Sequence, residues 1–253
     1  MISPYYQSDF VTLYFGDCQT ILPELNVKFD ACIVDPPYGC SACKWDSPIP
    51  LDFMWKHLNN LVKTTGAIVI FGTEPFSSVL RCSNLKMFKY DWIWQKERGF
   101  GFLDSKFRPL KSHEIISVFS KGGCSNGSKP AMVYNPQGLI PVSKNYKYAG
   151  NSTLLRYNSK PKTVRPQYTN YPKSVLMFGK ATCKLHPTEK PVKLLEYLIK
   201  TYTNEGDLIL DFCAGSGSTG VAAQNTKRKA ILIENEEKYC EITAKRLADM
   251  VEK

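Results

Sequence analysis

The chain has 253 residues, is 43% hydrophobic and carries a formal net charge of +10. That is long enough for one domain with a sizeable core and an insertion, and no apolar run reaches the ~18 residues of a membrane helix. The opening Met-Ile-Ser-Pro-Tyr-Tyr has neither the basic nor the apolar region of a signal peptide, so a soluble, cytoplasmic chain with no membrane partner is expected.

Val11–Phe15 reads as the first strand. "LYFGDC", Leu13 to Cys18, sets a glycine and an acid at its end. Asp17 is there either a turn residue or an acceptor for an adenine amino group at the edge of a nucleotide crevice. Ala31–Asp35 reads as the next strand and runs into Asp35-Pro36-Pro37-Tyr38. Two prolines end a strand and an aspartate begins a turn, but neither reason requires all four residues together. Chemistry on an exocyclic aromatic amine does. The lone pair of such an amine is delocalised into its ring, so it is a poor nucleophile. The Asp35 carboxylate and the Pro36 carbonyl, on a backbone of fixed φ, offer two acceptors that would hold its hydrogens and favour a pyramidal nitrogen. Tyr38 offers a flat surface for the base.

Cys40 and Cys43 form a Cys-x-x-Cys with no second pair, so no metal is expected. The other cysteines of the nine are scattered and read as small buried hydrophobes in a reducing compartment. Leu51 to Val62 and Pro75 to Arg81 read as helices. Ala67–Phe71, Tyr90–Trp94 and Ile115–Phe119 read as strands.

The whole charge excess lies between Lys121 and Lys193. That stretch holds thirteen Lys and Arg against one acid, Glu189, a net +12 against −2 for the remainder. It also carries Tyr134, Tyr146, Tyr148, Tyr157, Tyr168 and Tyr171. Positive charge interleaved with aromatics suits a phosphate backbone and unstacked bases. Gly122 to Cys183 breaks the alternation of strands and helices and is the candidate inserted module.

Pro191–Thr201 reads as a helix with Pro191 in its first turn. Leu208–Phe212 reads as a strand, Ser218–Gln224 as a helix, Ala230–Ile233 as a strand and Glu236–Val251 as a helix. The strands are apolar through most of their length, as strands covered on both faces are. The alternation predicts an α/β fold around a mostly parallel sheet. In "LILDFCAGSGSTG", Leu208 to Gly220, the spacing Gly215-x-Gly217-x-x-Gly220 fits a nucleotide-binding turn. Glu234 ends the next strand, where an acid accepts from both ribose hydroxyls. Val221 stands where a phosphate-binding P-loop needs lysine. Only one strand and one helix follow Gly220, so the other strands of the nucleotide-binding half must come from the N-terminus.

Asp35-Pro36-Pro37-Tyr38, together with Asp211-Phe212-Cys213-Ala214-Gly215-Ser216-Gly217-Ser218-Thr219-Gly220, resembles the S-adenosylmethionine-dependent DNA amino-methyltransferases. Their usual glycine motif reads Asp-Pro-Phe-x-Gly-Ser-Gly-Thr-Thr-Gly, so Phe212-Cys213 departs from Pro-Phe and moves the aromatic by one place. The order of amine clamp, recognition region and cofactor loop is that of the permuted β group. "HPTEKP", His186 to Pro191, resembles the segment before the group's cofactor loop. Asn225 to Leu247 resembles the segment after it, and "WIWQKERGFG", Trp92 to Gly101, the segment flanking its base pocket.

The resemblance implies a Rossmann-like methyltransferase fold with a central mixed, mostly parallel sheet, circularly permuted. Residues 1–253 would form one catalytic domain, with an inserted target-recognition region at 122–183. It implies S-adenosylmethionine as cofactor, S-adenosylhomocysteine as product, and no metal. The cofactor would lie across Gly215 to Thr219, including Gly217, beside Phe212 and Cys213. Asp211, Ser218 or Thr219, and Lys190 would hold its methionyl end. Glu234 with Asn235 would hold its ribose, and Asp17 with Cys18 its adenine. His186 would be structural.

Asp35, Pro36, Pro37 and Tyr38 would act on a base flipped out of DNA, receiving the methyl group directly and in line. Members with Asp at the first clamp position mostly methylate adenine-N6, and those with Ser cytosine-N4, so adenine is expected, with cytosine-N4 the alternative. DNA is the expected partner, gripped by the basic segment, and the group leaves room for a homodimer and a restriction-enzyme partner. A dinucleotide-dependent oxidoreductase would account for Gly215 to Glu234 but leave Asp35 to Tyr38 and the basic segment without a role. A non-catalytic nucleic-acid-binding protein would account for the charge alone.

Overall fold

A computed structural model of the chain describes residues 2–39, 46–142, 167–179 and 189–251. Cys40, Cys43, Tyr146, Tyr148, Tyr157 and His186 lie outside the described residues. The chain divides into two compact units, Met1–Asn135 with Ser174–Lys253, and Pro136–Lys173.

The strands are β1 (Tyr6–Gln7), β2 (Val11–Phe15), β3 (Phe29–Val34), β4 (Val62–Gly72), β5 (Phe88–Phe100), β6 (Lys111–Phe119), β7 (Ile140–Pro141), β8 (Tyr168–Thr169), β9 (Val175–Met177), β10 (Leu208–Asp211) and β11 (Lys229–Glu234). The helices are α1 (Cys18–Ile21), α2 (Leu51–Leu61), α3 (Phe76–Ser83), α4 (Val192–Tyr202), α5 (Ser218–Asn225) and α6 (Glu237–Val251).

The first unit is built on a nine-stranded sheet of order β1-β2-β11-β10-β3-β4-β6-β5-β9. From β2 to β4 every neighbouring pair is parallel, while β6 runs antiparallel to both β4 and β5. This is the expected mixed, mostly parallel sheet. β2, from the N-terminus, pairs β11, from the C-terminal end, with Phe15 opposite Glu234. The strands missing after the glycine loop are therefore supplied from the front of the chain, as the permuted order requires.

Alternate side chains of the central strands feed two cores. Ala31, Ile33, Ile209 and Leu232 face a layer containing Leu194, Leu198 and Tyr202 of α4, Ala222 of α5 and Leu247 of α6. Cys32, Val34, Leu210 and Ile233 face Ile21 of α1, Met54 and Leu58 of α2 and Leu80 of α3. Both faces of the sheet are covered, which explains the nearly unbroken apolar runs. β10 continues through α5 to β11 on one side, and β3 continues through α2 to β4 on the other. The strand order thus reverses between β10 and β3, and a ligand crevice is expected at their carboxyl ends.

Some boundaries differ from the sequence expectation. β4 begins at Val62 rather than Ala67: Val62 already pairs with Phe29, and the polar stretch Lys63-Thr64-Thr65-Gly66, which breaks the apolar run, falls in an irregularity before pairing resumes at Ala67 opposite Ala31. β5 continues to Phe100 through Gln95-Lys96-Glu97-Arg98, which gives no apolar signal. Pro191 is the N-cap of α4, with ψ 128°, and not part of its first turn; its carbonyl accepts from Leu194 and Leu195. β1, β7, β8 and β9 are two or three residues long, too short for a periodic pattern. Four-residue α1 had no sequence signal beyond Asp17, which caps it.

The second unit contains the antiparallel pair β7–β8, with Ile140 opposite Thr169. The Asn170 side-chain amide donates to the Gly138 carbonyl at 2.7 Å. This unit is shorter than the expected 122–183. Met132 and Leu176, inside that range, are buried in the core of the first unit, and β9 pairs with β5. No helix among the described residues is long and apolar enough to cross a membrane.

Candidate active site

At the switch point between β3 and β10 lies a cavity of about 470 Å³. Every residue named above for catalysis or cofactor binding lines it except Gly217.

Asp35 is the first residue beyond β3. The Tyr38 hydroxyl donates to its Oδ1 and the Lys190 ammonium to its Oδ2. The turn is fixed from below: the amides of Tyr38 and Gly39 donate to Oδ1 of Asp46 at 2.7 and 2.9 Å. The Tyr38 ring stacks on Phe76 of α3, with centroids 5.1 Å apart and planes 30° apart. Burial, then the facing Asp35 carboxylate, push the Tyr38 hydroxyl well above its ordinary range, so it remains a proton donor.

Lys190 is only 8% exposed. Besides Asp35 it faces Glu114 of β6, whose Oε2 is 3.6 Å away, and lies over the Phe71 ring at 5.3 Å. Lys96 of β5 holds the other Glu114 oxygen at 2.5 Å. Burial pulls the Lys190 ammonium down, but Asp35 and Glu114 outweigh it and leave it raised. Burial pushes Glu114 up, and Lys190 and Lys96 outweigh that and leave it lowered. Lys190 and Glu114 therefore both keep their charges, inside a continuous chain Asp35–Lys190–Glu114–Lys96. Lys190, expected at the methionyl end of the cofactor, lines the cavity between the clamp carboxylate and Glu114. Glu114, Asp46 and Phe76 were not anticipated. Glu114 and Phe76 come from stretches distant in sequence and Asp46 from a few residues beyond the clamp, and a glutamate leading into the apolar run of β6 was the one available signal.

On the other side of the cavity, Asp211 ends β10. The Cys213 amide donates to its Oδ1 at 3.0 Å, and Thr219 donates from its side chain. Burial nevertheless pushes its carboxyl up to about 7, with Asp35 and Glu234 adding to the rise. Between about pH 4 and pH 7 the native carboxyl therefore keeps a proton that the unfolded chain has lost. As pH rises through that window, native stability falls by about 1.4 kcal/mol for each pH step of one. The Asp211→Asn variant should gain stability relative to the parent chain as pH rises from 5 to 7.5, measured by denaturant unfolding at both pH values. A constant difference would contradict this.

Glu234 at the end of β11 accepts from the Gly215 amide at 2.7 Å and the Glu236 amide at 2.9 Å. Burial raises it against those bonds. A carboxylate has about four acceptor sites, so both oxygens retain capacity for a ribose diol. The Ser218 hydroxyl donates to Oε1 of Glu189 at 3.0 Å, and Arg246 of α6 pairs with the same oxygen at 2.8 Å. Glu189 and Arg246 are further residues that sequence reasoning missed. Asp17 caps α1 through the Gln19 amide at 2.8 Å, as a turn residue would, and also lines the cavity. Cys18 is buried, Cys213 half-buried and Asn235 exposed. Phe212 is 2% exposed and packs in the core on the α1–α3 face.

Gly217, expected beside the cofactor, is not among the residues that line the cavity. Its φ is +76°, and an added Cβ would lie 2.4 Å from Cγ2 of Thr243. Its role is to let α6 pack against the glycine turn. Gly220 does the same for β11, where a Cβ would lie 2.8 Å from Leu232. Gly217→Ala should cost about 1–3 kcal/mol through overpacking and left-handed strain, read as a lower melting temperature. An unchanged melt would show that Thr243 yields freely.

Among the described residues the cavity wall carries eight carboxylates and one ammonium, Lys190. Such a wall suits a cation and opposes the pyrophosphate of a dinucleotide. S-Adenosylmethionine, with its sulfonium and ammonium, fits it. The DNA methylase family model matches residues 29–245.

The chain belongs to the DNA methylase family. This DNA methylase is 50% identical over 273 residues to Type II methyltransferase M2.LlaDCHI of Lactococcus lactis subsp. cremoris, covering 98% of this chain and 93% of that one. It is 24% identical over 268 residues to DNA adenine methyltransferase YhdJ of Escherichia coli (strain K12), covering 93% and 82%. The solved complex of M1.HpyAVI with SAM superposes with a TM-score of 0.63 at 26% identity, covering 94% of this chain and all of that one. The methylase is an S-adenosylmethionine-dependent DNA methyltransferase. The oxidoreductase and the non-catalytic binding protein are thereby set aside.

Proposed function

We propose that this methylase transfers a methyl group from S-adenosylmethionine to the exocyclic N6 amine of adenine in DNA. The observation that carries the reading is the placement of Asp35, Pro36, Pro37 and Tyr38 in one cavity with the glycine loop and Glu234. The bound cofactor supplies an electrophilic methyl group. Glu234, whose carboxylate is already oriented by two backbone amides, takes the ribose. Asp17 and Cys18 would flank the adenine of the cofactor, and Asp211 would face its cationic methionyl end.

The target base leaves the duplex, at a cost of a few kcal/mol, and rests on Tyr38. Asp35 and the Pro36 carbonyl accept the two amine hydrogens. Lys190, flanked by Asp35 and Glu114, holds the clamp carboxylate in position as it takes up the amine. No strong general base is needed, because the methylated amine loses its proton readily. Most of the acceleration comes from holding nucleophile and methyl donor in line. The basic stretch Lys121 to Lys193, including the second unit, grips phosphates and sets the register on the DNA. The Type II name of the 50% identical relative supports a place beside a restriction enzyme.

An aspartate at the first clamp position, and the adenine-specific name of one relative, favour adenine over cytosine-N4. The test is nucleoside mass spectrometry of unmethylated DNA after incubation with the protein and S-adenosylmethionine. N6-methyldeoxyadenosine is the expected product. N4-methyldeoxycytidine would keep the cavity chemistry and overturn the base.

A further inference from the structure

The β5–β6 hairpin ends in side chains that the core does not use. Phe102, Leu103 and Phe107 are 80%, 94% and 89% exposed, the most exposed large apolar residues among those described, and Phe100 and Leu110 beside them are partly exposed. The tip is nevertheless ordered. Phe102–Asp104 form a single 3₁₀ turn after Gly101, and the amides of Phe107 and Arg108 donate to the Asp104 carbonyl at 2.9 and 3.0 Å. An apolar cluster held out in this way marks an interaction surface.

The charge around it narrows the partner. Residues 96–111 carry five Lys and Arg against two acids, and one of those acids, Asp104, is paired with Arg108. The partner is therefore anionic on its outside and apolar within, as a stack of bases between phosphate strands is. A second copy of this chain, itself at +10, matches that charge poorly. The tip is also continuous with the catalytic wall. Lys111 pairs with Phe100 at the tip end of the hairpin, and Glu114, three residues along β6, lines the cavity, a span of about 10 Å.

We propose that this tip is a wedge that enters the DNA duplex where the target base has left. Phe102, Leu103 and Phe107 fill the emptied step against the neighbouring bases, as apolar side chains do in kinked duplexes. Arg98, Lys106 and Arg108 meet the flanking phosphates. The proposal rests on the base-flipping reading above, and it assigns to this hairpin the opening of the duplex rather than the chemistry.

The test compares duplex with single-stranded oligonucleotides of one sequence containing the methylated site. A single strand has no partner strand to hold the base in, so a wedge has little to do there. The Phe102→Ala/Leu103→Ala/Phe107→Ala variant changes only exposed side chains. It should lose at least ~30-fold in kcat/KM on the duplex and less than ~3-fold on the single strand, since unstacking is costly only in the duplex. It should also lose the rise in fluorescence of 2-aminopurine placed at the target position of the duplex, and the Phe102→Ala/Leu103→Ala/Phe107→Trp variant, which keeps one large ring at the tip, should retain part of both signals. Equal losses on both substrates, or none, would overturn the wedge while leaving the methylase reading intact. So would a change from dimer to monomer in sedimentation, which would make the tip a contact between copies. Absence of methylation by the parent chain on either substrate would sink the underlying reading, and the wedge with it.

Discussion

Asp35→Ala should lower the rate of methyl transfer by at least about a thousandfold, the scale of losing a positioned polar partner of the reacting group. The affinity for S-adenosylmethionine should stay within about threefold, because that change removes no cofactor contact worth the ~1.4 kcal/mol of a tenfold effect. Asp35 is the carboxylate acceptor of the clamp, and the Pro36 carbonyl alone holds one hydrogen of the amine. The substitution leaves Glu234, Gly215 and Asp211 in place. It does not orphan the buried ammonium either, since Glu114 lies 3.6 Å from Lys190 and takes over as its counter-charge. Single-turnover methyl transfer and titration calorimetry separate the two effects. Activity within tenfold of the parent chain would remove Asp35 from the chemistry.

Lys190→Met should have the second largest effect, and a different one. Lys190 is the shared counter-charge of Asp35 and Glu114. Removing one partner of a buried charge cluster costs about 3–5 kcal/mol, which for a chain of this size lowers the melting temperature by about 10 °C. Two carboxylates without a cation between them resist carrying both charges. The acid limb of the pH–rate profile should therefore move to higher pH, and activity should fall most below neutrality. A Lys190 that served only the methionyl end of the cofactor would instead raise the KM for S-adenosylmethionine and leave the pH profile in place.

The two ends of the cavity were legible because each is written in a short, contiguous stretch. Asp35 to Tyr38 and Asp211 to Gly220 are strand ends whose chemistry follows from residue type and spacing, and the sheet places them side by side at its switch point. Glu234 was legible for the same reason, one strand further on. What joins these ends was not legible. The Asp35–Lys190–Glu114–Lys96 chain draws on four separate segments, and the one local signal in β6, a glutamate leading into its apolar run, does not say which charges Glu114 meets. Asp46 and the Glu189–Arg246 pair are likewise contacts of tertiary structure.

The aromatic segment from Trp92 divides between core and surface. Trp92 and Trp94 are buried in the core, with their indole N–H groups donating to the Tyr202 hydroxyl and the Phe178 carbonyl, and the exposed chemistry begins only at the hairpin tip. Gly217 shows the same limit from the other side. Its spacing suggested a ligand, and the packing requirement that the structure adds comes from Thr243, twenty-six residues later.

The central claim is that one cavity brings cofactor and amine clamp together, with Glu234 at the ribose and Asp35 at the reacting end. A crystal structure with S-adenosylhomocysteine tests it most directly. The account predicts both ribose hydroxyls within ~3 Å hydrogen-bond reach of the Glu234 carboxylate, with the sulfur turned toward Asp35 and Tyr38. A product molecule whose ribose lies away from Glu234, or whose sulfur faces away from Asp35, would contradict it.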